Sequence, residues 1–236
     1  MSIEFVTGNL FTTSHQTIVN TVNCVGVMGA GIALECRLRY PAMFEKYCDI
    51  CRNRQLRPGG LWLYKGGSNP TDIDSRWILN FPTKDNWKYP SRFEYLHWGL
   101  DKFLATYQQK GITSIAFPVL GGLNGGLDTE RVIELMTEKL SLCDIPITVY
   151  KYSPEASDDV YNKFKEELLN SDLEKLVRCM RVRRNILFKV LDAINKPEIC
   201  QMNQLARVPG VGVKTMEALF RYVCVSSKSL KQGELF

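Results

Sequence analysis

The segment Ile18-Val19-Asn20-Thr21-Val22-Asn23, followed after two residues by Gly26-Val27-Met28-Gly29-Ala30-Gly31, most restricts what this chain can fold into. A short apolar run ends in two asparagines, crosses a glycine-rich turn and gives way to helical periodicity that starts near Ile32 and stops before Pro41. Three glycines let the backbone approach a ligand and take positive φ, while the first turn of the helix offers unpaired N–H groups and a positive dipole end to an anion. Asn20 and Asn23 add amide donors and acceptors suited to sugar hydroxyls. A tight strand-to-helix turn packed for its own sake has the same pattern, so the segment alone leaves a structural and a ligand-binding reading open.

Up to about Tyr152 the same alternation repeats. Ile3 to Val6, Thr17 to Asn20, Leu61 to Lys65, Trp77 to Phe81, Ile112 to Val119 and Ile147 to Tyr152 read as strands. Ala30 to Tyr40 and Pro41 to Asn53 read as helices divided at the proline, with further helices from Ser91 to Gln109 and from Asp128 to Ser141. A polar loop around Ser68-Asn69-Pro70-Thr71-Asp72 joins two of the strands. The pattern is α/β, with a mixed sheet between helices. Residues 153–158, Ser-Pro-Glu-Ala-Ser-Asp, read as a linker, and after them the periodicity is helical: Val160 to Leu169 and Leu173 to Ile194, then a last segment running through Leu205 and Val208-Pro209-Gly210-Val211-Gly212. The expected organisation is an α/β domain over 1–152 and a small all-helical domain over 159–236.

Composition narrows the class without naming a function. A hydrophobic content of 45% with 23% charged residues suits a folded chain with a substantial core and argues against disorder. No apolar stretch has the length of a membrane span, and the N-terminus lacks the blocks of a signal peptide, so the expected location is the cytoplasm. Eight scattered cysteines read as reduced thiols. Cys48 and Cys51 form a single C-x-x-C pair with no second pair nearby, and structural zinc takes four ligands, so no metal is expected. The formal charge of +5 favours polyanionic partners, with Lys175, Arg178, Arg181, Arg183, Arg184 and Lys189 uninterrupted by any acid.

A second glycine-rich loop, Gly121-Gly122-Leu123-Asn124-Gly125-Gly126, stands where the first one does, after a strand and before a helix. Ligands of open α/β sheets lie across such strand ends, and two loops can hold the two sides of a diphosphate. Gly8-Asn9-Leu10, Ile18 to Asn23, Gly26 to Ala33 and Pro118 to Leu127 together resemble the ADP-ribose-binding macrodomain family, over essentially all of residues 1–152. Within it, Asn80-Phe81-Pro82-Thr83-Lys84 with Trp87 and Ser91-Arg92 resembles the branch of DNA ADP-ribosyl glycohydrolases, the DarG-type antitoxins. The resemblance implies a three-layer α/β/α sandwich, followed here by the helical domain.

It also implies roles. Asn9 takes the position of an aspartate that accepts a hydrogen bond from the adenine amine, with Leu10 beside it; Asn20 and Asn23 serve the distal ribose. Val27, Met28, Gly29 and Gly31 wrap the diphosphate, Thr83 and Trp87 border the ligand, and Gly121, Gly122, Leu123, Asn124 and Gly125 close over the phosphates. Lys84 is the expected catalytic residue, attacking the anomeric carbon of the distal ribose or opening it to a Schiff base. It acts as the neutral amine, a form favoured by burial and by cations such as Arg92 or Lys88. Two positions depart from the pattern. A related protein-directed hydrolase pairs its lysine with an aspartate where this chain has Gly125, and Gly122 stands where the family usually has cysteine. The nearest carboxylate, Asp128, reads as a helix N-cap.

The tail segment Leu205 to Thr215 resembles a helix-hairpin-helix motif, which implies sequence-independent contact with DNA phosphates through Gly210, Gly212 and Lys214. It does not match the toxin-engaging domain usual in DarG-type antitoxins. The expected activity is removal of ADP-ribose from modified nucleic acid, thymidine-linked DNA foremost, in an antitoxin-like or repair role, with ADP-ribose as ligand and no cofactor. ADP-ribosylated DNA and a cognate ADP-ribosyltransferase toxin are the implied partners, and a membrane is not. The residues leave open a non-catalytic ADP-ribose reader and a hydrolase of ADP-ribosyl-protein or O-acetyl-ADP-ribose.

Overall fold

The structure, a computed structural model, describes residues 3–66, 71–122 and 125–232, with side chains as far as 224. The centre of the expected loop at Ser68-Asn69-Pro70 and the loop positions Leu123 and Asn124 lie outside the described residues. By internal packing the chain divides into two compact units, residues 1–152 and 153–236.

The first unit is built on a six-stranded sheet of β1 (Ile3–Gly8), β2 (Thr17–Val22), β3 (Trp62–Tyr64), β4 (Trp77–Pro82), β5 (Ile115–Pro118) and β6 (Ile147–Tyr152), in the order β1-β6-β5-β2-β4-β3. All neighbours run parallel except the edge pair β3 and β4. Parallel strands are covered on both faces, which is why five of the six residues of β2 are buried, Thr17 and Asn20 among them. Its alternate residues serve two cores. Ile18 and Val22 pack with Met28, Cys36, Met43 and Tyr47 under α1 (Gly31–Arg39) and α2 (Pro41–Arg52). Val19 packs on the opposite face with Phe81, Leu96, Leu100 and Val132 under α3 (Phe93–Lys110) and α4 (Thr129–Leu140). Two cores on opposite faces of one mixed sheet make a three-layer α/β/α sandwich.

Pro41 at the first position of α2 divides α1 from α2, because it has no N–H to continue the preceding helix. At α3 the sheet and the helix approach through Gly99, where a Cβ would fall 2.2 Å from Cζ of the fully buried Phe81. Gly99→Ala is therefore expected to lower stability by about 1–3 kcal/mol through overpacking, measured by urea unfolding.

The second unit comprises α5 (Tyr161–Leu169), α6 (Leu173–Met180), α7 (Arg184–Ile194), a 3-10 turn (Met202–Arg207) and α8 (Val213–Gln232). The helical stretch expected from Leu173 to Ile194 is broken. Arg181 takes a left-handed φ of 55° and returns its N–H to the Val177 carbonyl at 2.9 Å, closing α6 with neither glycine nor proline to announce the stop. Residues 153–158, expected as a linker, are instead bound into this unit. The Gln201 amide donates to the Ser153 and Ala156 carbonyls at 2.8 Å, the Gln204 amide donates to Pro154, and the Asp158 carboxylate accepts from the N–H groups of Val160 and Met202. Gln201 is fully buried and Asp158 nearly so, so these bonds replace water that a free linker would keep.

Candidate active site

The first loop leaves β2 at Val22 and is shaped by Asn23, whose side chain is folded into it. Oδ1 accepts from the N–H groups of Val25 and Val27 at 3.0 and 3.3 Å, and Nδ2 donates to the Val27 carbonyl at 2.5 Å. The Tyr47 hydroxyl, reaching up from α2, donates to the Asn23 carbonyl at 2.7 Å. Gly26 turns the chain at φ 80°, a value that other residues take only at a cost. Val27, Gly29 and Gly31 are left exposed, and α1 begins at Gly31 with Ala30 as an N-cap that makes no side-chain hydrogen bond. The N–H groups of its first turn are thus uncapped by any side chain and open to an anion.

Two of the residues expected in contact with ligand lie deeper. Asn20 and Asn80 face each other in register on β2 and β4, both fully buried, with Asn20 Nδ2 donating to Asn80 Oδ1 at 2.9 Å. Met28 is likewise fully buried, its sulfur 3.9 Å from Asn20 Nδ2. They lie behind the loop rather than on its exposed lip, because the register of β2 with β4 sets the two amides side by side, with Asn20 Oδ1 left without a hydrogen-bond partner among the described residues. Asn9 caps a 3-10 turn (Leu10–Thr12), its Oδ1 accepting from the Phe11 N–H at 3.0 Å, while its buried Nδ2 has no hydrogen-bond partner among the described residues. Leu10 is buried beside it.

The segment following β4 joins the first loop to the second. The Thr83 N–H donates to the Val22 carbonyl at 3.0 Å, the Cys24 N–H to the Asp85 carbonyl at 2.9 Å, and the Cys24 thiol lies 3.6 Å from the Lys84 carbonyl. Farther along, the Ser91 N–H donates to the Gly125 carbonyl at 2.9 Å. Lys84, half-buried, therefore stands on a strap tied to both glycine loops. Burial, with the Asp85 carboxylate adding to it, pushes the Cys24 thiol up to about 12, so this cysteine is a neutral packing group and not a competing nucleophile. Burial also raises Tyr47, which keeps the proton it donates to Asn23.

In the second loop Gly121 takes a φ of 62° and its carbonyl accepts from the Leu127 N–H, while Gly122 accepts from Gly125 and Gly126. A Cβ at Gly125 would fall 2.2 Å from the Gly121 carbonyl oxygen, so the loop closes on itself where a side chain would stand. Asp128 is the N-cap of α4, accepting from the Arg131 N–H at 2.9 Å. Trp87 and Tyr89 rise from the strap at 52% and 66% exposure. Two contributors carry no local signal in the sequence: Tyr47, which reaches the loop from α2, and Cys24, which acts through its backbone. Asn80 and Ser91 stand in the motif named above, but their parts here come from the register of β2 with β4 and from a backbone hydrogen bond.

The family model described as the Macro domain matches residues 19–136, half of the chain. A Thermus aquaticus protein named DNA ADP-ribosyl glycohydrolase is 38% identical over 152 residues, 64% of this chain and 41% of that protein. This chain spans about two fifths of the length of the curated relatives it matches. The macrodomain of Mycobacterium tuberculosis DarG superposes with a TM-score of 0.59 at 37% identity, covering 64% of this chain and 98% of that one. Thermosipho africanus DarTG in complex with ADP-ribose gives 0.60 at 33% identity, over 66% of this chain and 43% of that one. With its sandwich, its paired glycine loops and these likenesses, the chain belongs to the macrodomain family, in the DarG-type branch.

Proposed function

We propose that this protein is an ADP-ribosyl glycohydrolase that removes ADP-ribose from DNA, with Lys84 as nucleophile. The observation that carries the proposal is the strap from Thr83 to Ser91, tied at one end to the first glycine loop and at the other to the second, with Lys84 between. The relatives named above supply the substrate class. ADP-ribose fits the arrangement: the uncapped start of α1 and the backbone of Gly121 and Gly122 flank a diphosphate, and Val27, Gly29 and Gly31 leave backbone open to it. In the reaction the Lys84 amine attacks the anomeric carbon of the distal ribose, the bond to the base breaks with its electron pair leaving on the base, and a proton from solvent neutralises it. The ribosyl-lysine adduct opens to a Schiff base, and water then returns the lysine and frees ADP-ribose.

The test is release of ADP-ribose from an oligonucleotide bearing ADP-ribosylated thymidine, followed by chromatography. Release from ADP-ribosyl-protein or O-acetyl-ADP-ribose instead reassigns the substrate. Tight ADP-ribose binding with no turnover on any of these makes the chain a reader, the reading favoured by the absence of room for a carboxylate at Gly125.

Asn9 sets a further expectation for the ligand. Its carbonyl already accepts from the Phe11 N–H and its other side-chain atom is a donor, so it offers the adenine amine only the remaining lone pair of a neutral oxygen. Asn9→Asp supplies two acceptors, one for each, and is expected to tighten ADP-ribose binding roughly three- to tenfold by calorimetry, because hydrogen bonds to a charged group are stronger.

In the helical unit, Gly210 and Gly212 are exposed on the turn between the 3-10 turn and α8 and Lys214 is exposed in the first turn of α8, with Gly210 at φ 91° and Val211 N–H bonded to the Val208 carbonyl. That turn is the proposed second hold on DNA phosphates. An antitoxin role, with a cognate ADP-ribosyltransferase as partner, is the proposed setting. Among the described residues no helix is long and apolar enough to cross a membrane.

A further inference from the structure

Arg92 is the N-cap of α3, and on the helix itself Tyr95 and Trp98 stand three residues apart with Lys102 four later, so these three share one stripe of the helix surface. The stripe is continuous: the Arg92 guanidinium lies 5.8 Å from the Tyr95 ring centre, and the Tyr95 and Trp98 rings are 5.8 Å apart. Trp98 is 53% exposed, an unusual cost for an indole with no partner covering it. It does not stand loose, because the turn from Arg57 to Gly60 packs against it so closely that a Cβ on Gly59 would fall 2.8 Å from Trp98 Cβ. Asp101, next to the stripe, is engaged by Lys139 at 2.8 Å, which leaves Glu94 as the acid of the first turns.

We propose that this stripe is a track for single-stranded DNA, holding the nucleotides next to the modified one. Two aromatic faces between two cations match a single strand, whose bases stack on rings while its phosphates meet the charges; a duplex keeps its bases stacked inside and offers only the phosphates. From Tyr95 to Lys102 the helix rises ~11 Å, long enough for a short run of nucleotides. The track begins one residue from Ser91, whose N–H is bonded to Gly125 in the second glycine loop. A strand lying along it is thereby led to the place where the ribose of the modified nucleotide would be held. The inference rests on nucleic acid being the substrate, and it adds that α3 supplies the hold beyond the ADP-ribose.

The experiment is fluorescence anisotropy of the full-length protein with unmodified fluorescein-labelled oligothymidylate of about twelve nucleotides, a length within the range that single-strand sites cover. Trp98→Ala is expected to weaken binding about tenfold and Trp98→Phe to restore most of it, as stacking on a ring requires. Lys102→Gln, an exposed change that leaves the core alone, is expected to reduce the slope of log affinity against log salt by about 0.7, one phosphate contact on a single strand. Lys214→Ala separates any contribution of the tail. If folded Trp98→Ala and Lys102→Gln both bind the oligonucleotide within twofold of the unaltered protein, the track is refuted. Because the probe carries no ADP-ribose, strand binding that depends on Trp98 in a protein with no hydrolase activity upholds the track while the catalytic reading falls. Hydrolysis of a modified oligonucleotide that is indifferent to Trp98→Ala does the reverse.

Discussion

Lys84→Ala is expected to lower the rate of ADP-ribose release from modified DNA by at least about 10²–10⁴-fold, the range lost when a positioned catalytic group is removed. ADP-ribose affinity should change little, because the contacts proposed for the diphosphate are backbone groups of the two loops, and the strap is tied to them by Thr83, Cys24 and Ser91 backbone groups that the substitution leaves in place. That split between turnover and affinity marks a residue that acts on the reacting bond. Borohydride added during turnover should trap an ADP-ribose adduct on the unaltered protein by reducing the Schiff base, and the tryptic peptide carrying Lys84 should gain its mass. Lys84→Arg is the stricter variant: it keeps the charge but has no neutral amine to offer, so it should be as inactive as the alanine. Full activity in either variant, or an adduct on another residue, removes Lys84 from the mechanism.

How much of this could be read before the structure depends on what kind of information each feature carries. The strands and helices of the first unit were legible because hydrophobic period and helix punctuation are local, and Pro41 stops α1 where it stands in the sequence. The two glycine loops were legible for the same reason. What was not legible depends on pairing across the sheet. Asn20 offers the same amide whether it faces sugar or a neighbour, and only the register of β2 with β4 sets it opposite Asn80, fully buried. Tyr47 reaches Asn23 from the next helix over, a contact that no spacing along the chain encodes. The stop at Arg181 was missed because a left-handed arginine breaks the usual glycine rule. The linker was misjudged because Ser, Pro and Asp have the composition of a mobile segment, while the buried amides that hold it sit 48 and 50 residues on, at Gln201 and Gln204.

The glycine at 125 carries the second large effect. The related protein-directed hydrolase has aspartate in this place, so Gly125→Asp invites itself as a way to supply the missing acid. The geometry argues for the opposite outcome. A Cβ there would lie 2.2, 2.5 and 2.6 Å from the carbonyl oxygen, carbonyl carbon and Cα of Gly121, all backbone and none able to swing aside as a side-chain end could. Gly121 is itself fixed, its carbonyl accepting from Leu127 at 3.2 Å. Relief must come from opening the loop, which also breaks the Ser91 bond to the Gly125 carbonyl and loosens the strap bearing Lys84. Overpacking of about 1–3 kcal/mol spent on the ligand-binding conformation lowers ADP-ribose affinity by roughly one to two decades, and turnover falls with it rather than rising. Gly122→Cys, which restores the residue usual in the family, is the matched control. A Cβ at Gly122 meets Val119 at an ordinary 3.5 Å, so affinity by calorimetry should stay within about threefold, near the noise of a tolerated surface change. A Gly125→Asp protein that binds ADP-ribose as tightly as the Gly122→Cys protein would mean that the loop opens freely, and the absence of a carboxylate at this position would then be a matter of chemistry and not of space.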